Sequence, residues 1–347
     1  MEWIKPGINM DIIGKRIIAY VFSALLIGVS LVSLVVHGGP KMGVDFAGGS
    51  EMIFKFETLP TAEQVRSSLA SIGLAKATVQ KTVMEGHTQF LIRTDVEEGG
   101  KSDMAETIRL TLQESLGSNV ELEKVDMVGP QVGKDLKEKA LMAMFYALLF
   151  ITVYISGRFE LKWIPPLVMA VAIIGVASLM DKFSLGIPAQ IAVALVIAVA
   201  GFWVLKLQFA MGAIVALIHD VIITVGVFSL VGKEFNLPII AALLTIIGYS
   251  LNDTIIVFDR IRENTAKHSR RPLDFVINRS INETLSRTLL TSLTTLVVVV
   301  CLFVFGGSII ADFAFALMVG VLIGTYSSIF VASPILLAWE KASGETA

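Results

Sequence analysis

Residues 209–230 read FAMGAIVALIHDVIITVGVFSL, and they decide what kind of fold this chain can have. The run is long enough to cross a bilayer, because a helix of about 20 apolar residues spans the hydrocarbon core. Asp220 sits almost at its midpoint, too far from either end for the carboxyl to reach water easily. A charged side chain near a bilayer centre costs about 2.5–3.5 kcal/mol on insertion scales. Asp220 is therefore either a hydrogen-bonded lock between helices or a proton-titrating carboxyl lining a polar pathway. We adopt the second reading, because surroundings poor in water penalise the ionised form and suit such a group to proton exchange. His219 precedes Asp220 and is expected on a different side of the helix, as a packing or interfacial residue rather than a relay partner.

The whole chain agrees with a membrane setting. Of its 347 residues, 54% are hydrophobic and 17% charged, with a mean hydropathy of +0.75, whereas soluble domains carry about a quarter charged residues. Apolar runs at 17–36, 138–156, 164–180, 187–204, 209–230, 237–258, 289–306 and 313–338 are candidate spans. With a cytoplasmic N-terminus, the inside segments collect fourteen Lys/Arg against two in the short outside loops. Residues 17–36 are read as a retained anchor, since no small-residue cleavage site follows them. The weak pair within 163–205 could span or fold back as a re-entrant or interfacial hairpin, and the charge count fits both; spanning is the reading adopted. Net charge is −2, the single cysteine (Cys301) excludes an intrachain disulfide, and the four histidines show no metal-ligand spacing. No GxxxxGK[ST] loop is present, so ATP bound by this chain is not the expected energy source, and no cofactor is expected. Composition excludes a soluble enzyme, and no nucleophile–base constellation suggests an intramembrane hydrolase.

Residues 37–137 have ordinary soluble composition and belong on the outer side. Residues 50–57, 76–84, 88–94 and 120–128 read as strands, with Glu85-Gly86-His87 as a turn. Thr61-Ala-Glu-Gln64 is a capping box opening a helix to about Ile72, and a second helix runs from about Ser102 to Leu116. The β-α-β-β-α-β order predicts a small ferredoxin-like α+β domain.

Two further stretches carry polar residues where apolar ones are expected. In GYSLNDTIIVFDRIREN (248–264), Tyr249, Asp253, Ile256 and Arg260 fall on one helical stripe, and Asn252 and Asp259 on its neighbour. Thr284, Thr288, Ser292 and Thr295 form a hydroxyl row through the following span. Such hydroxyls either bond back to their own backbone or, with the carboxylates, line a path for an ion. Gly43-Val-Asp-Phe-Ala-Gly-Gly49 marks a junction, with Gly43, Gly48 and Gly49 allowing a tight turn and Asp45 as a polar contact.

The blocks GVDFAGG (43–49), VGPQVGKDL (128–136), ALIHDVIIT (216–224), GYSLNDTIIVFDRIREN (248–264), INETLSRTLLTSLTTL (281–296) and GTYSSIFVASPILL (324–337) occur in an order that resembles the SecF family of bacterial protein-export membrane proteins. The resemblance covers nearly the whole chain apart from about 163–205. It implies a bundle of the resistance-nodulation-division superfamily in the bacterial cytoplasmic (inner) membrane, with six core spans and both termini cytoplasmic. It also implies pairing with SecD, association with SecYEG and SecA, contact with unfolded preprotein and membrane lipids, and no nucleic acid. Carried onto this sequence, Asp220, Asp253, Arg260 and Asn252 would couple ion movement, supported by Ser250, Thr288, Ser292 and Thr295. Asp259 and Arg262 would close the cytoplasmic helix end. The coupling ion, H⁺ or Na⁺, stays open.

The resulting expectation is an α-helical bundle of six core spans plus an extra apolar pair, with a ferredoxin-like periplasmic domain. Its parts are the N-terminus and first span (1–36), the outer domain (37–137), the bundle (138–338, with the basic segment 259–288) and the tail (339–347). Family members of this type run from a stretch like YISGRFELK almost directly into FAMGAIVALIHDV, so 163–205 is a departure from that pattern. Competing functions are an exporter half for small molecules or lipids, and a scaffold of the translocon without energy coupling.

Overall fold

The computed structural model describes residues 9–343 apart from 59, 76, 85–86, 95–100 and 184–185. The expected Glu85-Gly86 turn and the ends of both termini lie outside the described residues. The first apolar run forms helix α1 (Arg16–Val36), and the glycine-flanked junction holds a single helical turn, α2 (Val44–Ala47). Strand β1 (Gly49–Phe56) follows, then α3 (Ala62–Ala70), β2 (Thr78–Met84), β3 (His87–Thr94), α4 (Lys101–Leu116) and β4 (Val120–Val128). Both halves of the Thr61/Gln64 capping box are present, which satisfies orphan donors at the start of α3.

The four strands form one sheet in the order β2-β3-β1-β4, each neighbouring pair antiparallel. Period-two alternation puts Met52, Phe54 and Phe56 of β1 on one face, with Phe90 and Ile92 of β3. There they pack against Val65 and Leu69 of α3 and Ile108 and Leu112 of α4, giving this α+β unit a core of its own.

The rest of the chain is helical: α5 (Pro130–Glu160), α6 (Ile164–Lys182), α7 (Ile187–Leu205), α8 (Gln208–Val231), α9 (Leu237–Lys267), α10 (Leu273–Phe305), α11 (Gly307–Ser327), a π-helical turn (Ser328–Ala332) and α12 (Ser333–Ser343). Seven of the described helical stretches are long and apolar enough to cross a membrane, while the apolar Ala189–Leu205 part of α7 is shorter. Helices α9 and α10 run beyond their apolar parts, so the basic segment is two helical extensions joined by a short turn.

Two local features differ from the expectation. The run 313–338 is not one regular helix. Pro334 lacks the N–H that an α-helix needs and crowds the carbonyl of residue 330, so the backbone widens into the π turn and the Ser333 hydroxyl donates to the Ser328 carbonyl at 3.0 Å. The 163–205 segment stands off a closed base. Phe209 N–H at the start of α8 donates to Glu160 Oε1 at the end of α5 (2.9 Å), and the Lys162 ammonium donates to the Leu205 carbonyl at the end of α7 (2.6 Å). The end of α5 therefore meets the start of α8 directly, with α6 and α7 packed together as a helical hairpin beside that joint.

The α+β unit meets the bundle at the loop joining α8 to α9. Gly43 N–H donates to the Phe235 carbonyl and Phe235 N–H to the Lys41 carbonyl, both at 2.7 Å, making a parallel bridge between Met42 and Phe235. Asp45 accepts from Leu237 N–H (2.8 Å) at the first residue of α9, where a carboxylate suits both the free donors and the helix dipole. Arg93 lies opposite Glu51 across β1 and β3, bonds it at 2.6 Å, and also pairs with Glu234, which takes Lys41 as a second cation at 2.9 Å. Burial, and then the nearby Arg93 charge, hold the Lys41 ammonium below the usual lysine range.

Candidate functional site

The α8 helix is packed on several sides, so its midpoint is sealed: Asp220 is 1% exposed and His219 3%. Asp220 Oδ2 accepts from Ser250 Oγ of α9 at 2.6 Å and from Ser327 Oγ at the end of α11 at 2.8 Å. Oδ1 lies 2.9 Å from His219 Nδ1. Among the described residues no Lys or Arg pairs with Asp220. Close helix approach makes these contacts possible. A Cβ on Gly324 would stand 3.0 Å from Ser250 Cβ, and one on Gly212 would stand 3.0 Å from the Ala332 carbonyl in the π turn.

His219 is the clearest correction to the sequence reading. It was expected to face away, yet its ring reaches back to its neighbour. On the far side Nε2 sits 3.2 Å from Ser23 Oγ of α1, and the ring stacks on Tyr326 at 6.1 Å between centroids. Ser23 Oγ is 3.0 Å from the Tyr326 hydroxyl, which donates to the Ala19 carbonyl at 2.8 Å. Helix α1 presents Ala19, Ser23, Ser30 and Ser33 as its buried residues, a small-residue stripe that lets it lie close along α8. Near the opposite end of that seam Ser33 Oγ and Ser229 Oγ are 2.8 Å apart.

Asp253, also 1% exposed, belongs to a second cluster. Its Oδ2 lies 3.4 Å from Ser292 Oγ of α10, a long contact, and Ser292 accepts from Thr325 Oγ1 of α11 at 2.6 Å. Ser250 and Asp253 share the buried face of α9, so one helix serves both clusters. The other sequence-selected residues are not drawn in. Asn252 is exposed on the opposite side of α9. Arg260 is 39% exposed and pairs with Glu263 (3.0 Å) and Glu283 (3.6 Å) instead of either aspartate. Seven residues carry a helix about 10 Å along its axis, so sharing a stripe with Asp253 does not bring Arg260 to it. Thr295 donates to the Thr291 carbonyl of its own helix. Thr288 is buried, with no hydrogen-bond partner for Oγ1 among the described residues. Asp259 accepts from Arg158 at 2.5 Å, and Arg262 donates to the Arg158 carbonyl, tying α9 to the end of α5.

Ser327, Thr325, Ser23 and Tyr326 were not singled out from the sequence. The available signal was the Ser-Ser pair followed by Pro334 in an apolar run, which marks a helix that must deviate. Among the described residues no three His, Cys, Asp or Glu side chains gather as a metal site.

These features define a class: a multi-pass helical membrane protein with acidic groups sealed inside its bundle and a four-stranded α+β unit at one end. The family model described as "Protein export membrane protein SecD/SecF, C-terminal" matches residues 109–206 and 182–342. The protein translocase subunit SecF of Desulfurispirillum indicum is 39% identical over 331 residues, covering 94% of this chain and 90% of the relative. That of Magnetococcus marinus is 42% identical over 349 residues, covering 99% and 96%. The crystal structure of SecDF, a translocon-associated membrane protein from Thermus thermophilus, superposes with a TM-score of 0.75 at 30% identity. That match covers 96% of this chain and 39% of the SecDF chain, so this chain corresponds to well under half of it. A second SecDF crystal structure, in a super-membrane-facing form, gives a TM-score of 0.60 at 31% identity. The chain belongs to the SecD/SecF family of protein-export membrane proteins, as a SecF-type accessory subunit of the Sec translocon.

Proposed function

We propose that this chain pairs with a SecD-type partner and uses a transmembrane ion gradient to drive or complete preprotein translocation on the outer side of the membrane. The observation that carries the reading is Asp220, sealed at the middle of α8, met by groups from α1, α9 and α11 through its own bonds and those of His219, and paired with no Lys or Arg among the described residues. A carboxyl with hydroxyl neighbours and no resident counter-ion binds a cation when charged and a proton when neutral. Asp253 with Ser292 and Thr325 supplies a second acidic site on the same buried face of α9 as Ser250. Proton and sodium remain the two candidate ions.

The α+β unit, by its strand order and its two helices on one sheet face, is read as a ferredoxin-like module on the outer side. That places both termini in the cytoplasm of an inner-membrane protein, consistent with the excess of Lys and Arg inside. The exposed face of α9, with Ala241, Thr245, Gly248 and Asn252, is read as the SecD-facing surface, because small and polar residues favour a protein neighbour over lipid. SecYEG and SecA are the further partners of this reading, and segment 163–205 is an appended helix pair outside the six core spans.

The test compares Asp220→Asn and Asp253→Asn with the parent chain in inverted vesicles from a bacterial host whose own SecF-type subunit has been replaced. Gradient-dependent secretion is expected to be lost while the SecD-type partner still co-purifies. Secretion at the parent rate from both variants would instead support a scaffold without energy coupling.

A further inference from the structure

The hydrogen bonds around His219 can be counted, because each hydroxyl and each ring nitrogen has a fixed supply of protons. The chain starts at a group with no choice: the Ala19 carbonyl can only accept. The Tyr326 hydroxyl donates its single proton there at 2.8 Å, so towards Ser23 at 3.0 Å it must accept. Ser23 thereby commits its own proton to Tyr326, and towards His219 Nε2, at 3.2 Å, it too must accept. Nε2 therefore carries a hydrogen. In a neutral ring the other nitrogen, Nδ1, is then bare, and it faces Asp220 Oδ1 at 2.9 Å.

The opposite oxygen of Asp220 is subject to a similar count. Oδ2 already receives the Ser250 proton, and the Ser327 hydroxyl lies 2.8 Å away. A proton on Oδ2 could bond only Ser327 and would leave Oδ1 and the bare Nδ1 facing each other as two acceptors, so the carboxyl proton that satisfies the pair sits on Oδ1, pointing at His219 Nδ1. The structure assigns His219 as a second proton-holding residue of the Asp220 site, with its tautomer fixed by the Ser23–Tyr326–Ala19 chain from α1 and α11. One proton is shared between Oδ1 and Nδ1, as Asp–OH beside a neutral imidazole or as carboxylate beside imidazolium. Loss of that proton leaves a carboxylate oxygen against a ring lone pair, with no donor between them. The pair must then separate or take in a cation or water. Ser327 can answer the change, since its Oγ is also 3.1 Å from the Gly324 carbonyl and its one proton can swing there.

This assignment deepens the proposed ion coupling and rests on it for its role, but its first test is independent of secretion. The full chain with its SecD-type partner, labelled with ¹⁵N-histidine in lipid vesicles, is compared by solid-state NMR with His219→Asn to isolate the His219 signals. The expected signature is a protonated Nε2, with Nδ1 bare or sharing the proton. A neutral ring with Nδ1–H and a bare Nε2 overturns the assignment. In Tyr326→Phe Ser23 is released to donate to Nε2, so a second population with Nδ1–H is expected beside the first; a spectrum identical to the parent's overturns the claim that the Ser23–Tyr326–Ala19 chain fixes the tautomer. In secretion, His219→Phe should lose about tenfold, one hydrogen bond's worth, whereas His219→Asn should recover part of it because its amide oxygen can stand near the position of Nδ1. Equal activity of the two variants contradicts the shared proton. Asp220→Asn separates the levels: if it secretes normally while the tautomer is as assigned, ion coupling fails and the proton count stands.

Discussion

Replacing Gly48 with alanine tests the joint between the α+β unit and the bundle, and two separable costs can be read from its surroundings. Gly48 has φ +78° and ψ 174°, a backbone region in which a side chain costs about 1–3 kcal/mol. A Cβ there would also stand 2.9 Å from Pro130 Cα, 3.1 Å from Pro130 N and 3.4 Å from the Val128 carbonyl. All three atoms are backbone, at the end of β4 and the start of α5, so relief requires moving a strand–helix junction. Overpacking of that kind costs about 1–3 kcal/mol more. The combined penalty of about 2–6 kcal/mol is a large fraction of the roughly 5–15 kcal/mol that holds a domain folded.

Gly73 is the matched control. Its φ is +82°, but nothing lies within 4 Å of a Cβ placed on it, so Gly73→Ala carries only the left-handed cost of about 1–2 kcal/mol. Melting of the α+β unit, followed by limited proteolysis of the full-length protein in detergent over a temperature ramp, should fall by about 4–8 °C per kcal/mol for a unit of this size. Gly48→Ala is expected to melt well below Gly73→Ala. If the two variants melt together, the close approach of Gly48 to Pro130 does not exist and the joint is not built as described.

Excising residues 163–206 and joining Lys162 to Leu207 should leave a protein that inserts, folds and retains its partner, because Glu160 already contacts the start of α8; aggregation on native gels would show the hairpin to be integral. Glu234→Gln removes the anion shared by Arg93 and Lys41; Arg93 keeps Glu51 and Lys41 is half exposed, so the loss is about 1.5–3 kcal/mol, one charge-assisted hydrogen bond's worth. Hydrogen exchange at residues 232–236 should accelerate, and unchanged protection would argue against an anchoring role. Pro334→Ala restores a missing helical donor and should narrow the π turn, drawing Ser327 off Asp220. Secretion is then expected to fall with thermal stability unchanged or raised, and unaltered secretion would show that the Ser327 contact is dispensable.

What the sequence made legible was local or periodic. The Thr61 capping box needs only residues three apart, and the strands of the α+β unit announce themselves by alternation. Asp220 stands out because no Lys or Arg lies near it in its apolar run. What stayed hidden depends on a third element. Consecutive helical residues diverge by about 100°, so a histidine next to an aspartate is expected to point elsewhere. Ser23 and the Tyr326 ring, brought by α1 and α11, turn the imidazole back along the helix. Asn252 and Arg260 stand apart from both aspartate clusters for the converse reason. A helical stripe gives direction but not reach, and the face of α9 that packs inward is the one carrying Ser250, Asp253, Val257 and Ile261.

One connection relates the two ends of the molecule. The loop between α8 and α9 joins the helix of Asp220 to the helix of Ser250 and Asp253, and the same short segment holds the α+β unit. Lys233 pairs with Asp312 of α11, Glu234 holds Arg93 and Lys41, and Phe235 bridges to Met42 while its ring packs on Phe228 of α8 at 5.9 Å. Packed helices move as stiff bodies rather than bending residue by residue. A shift of α8 against α9 that lengthened the 2.6 Å Ser250–Asp220 bond would therefore reappear at the loop they share. There it would meet the base of β1 and β3 directly, with Asp45 holding the first turn of α9 to the same junction.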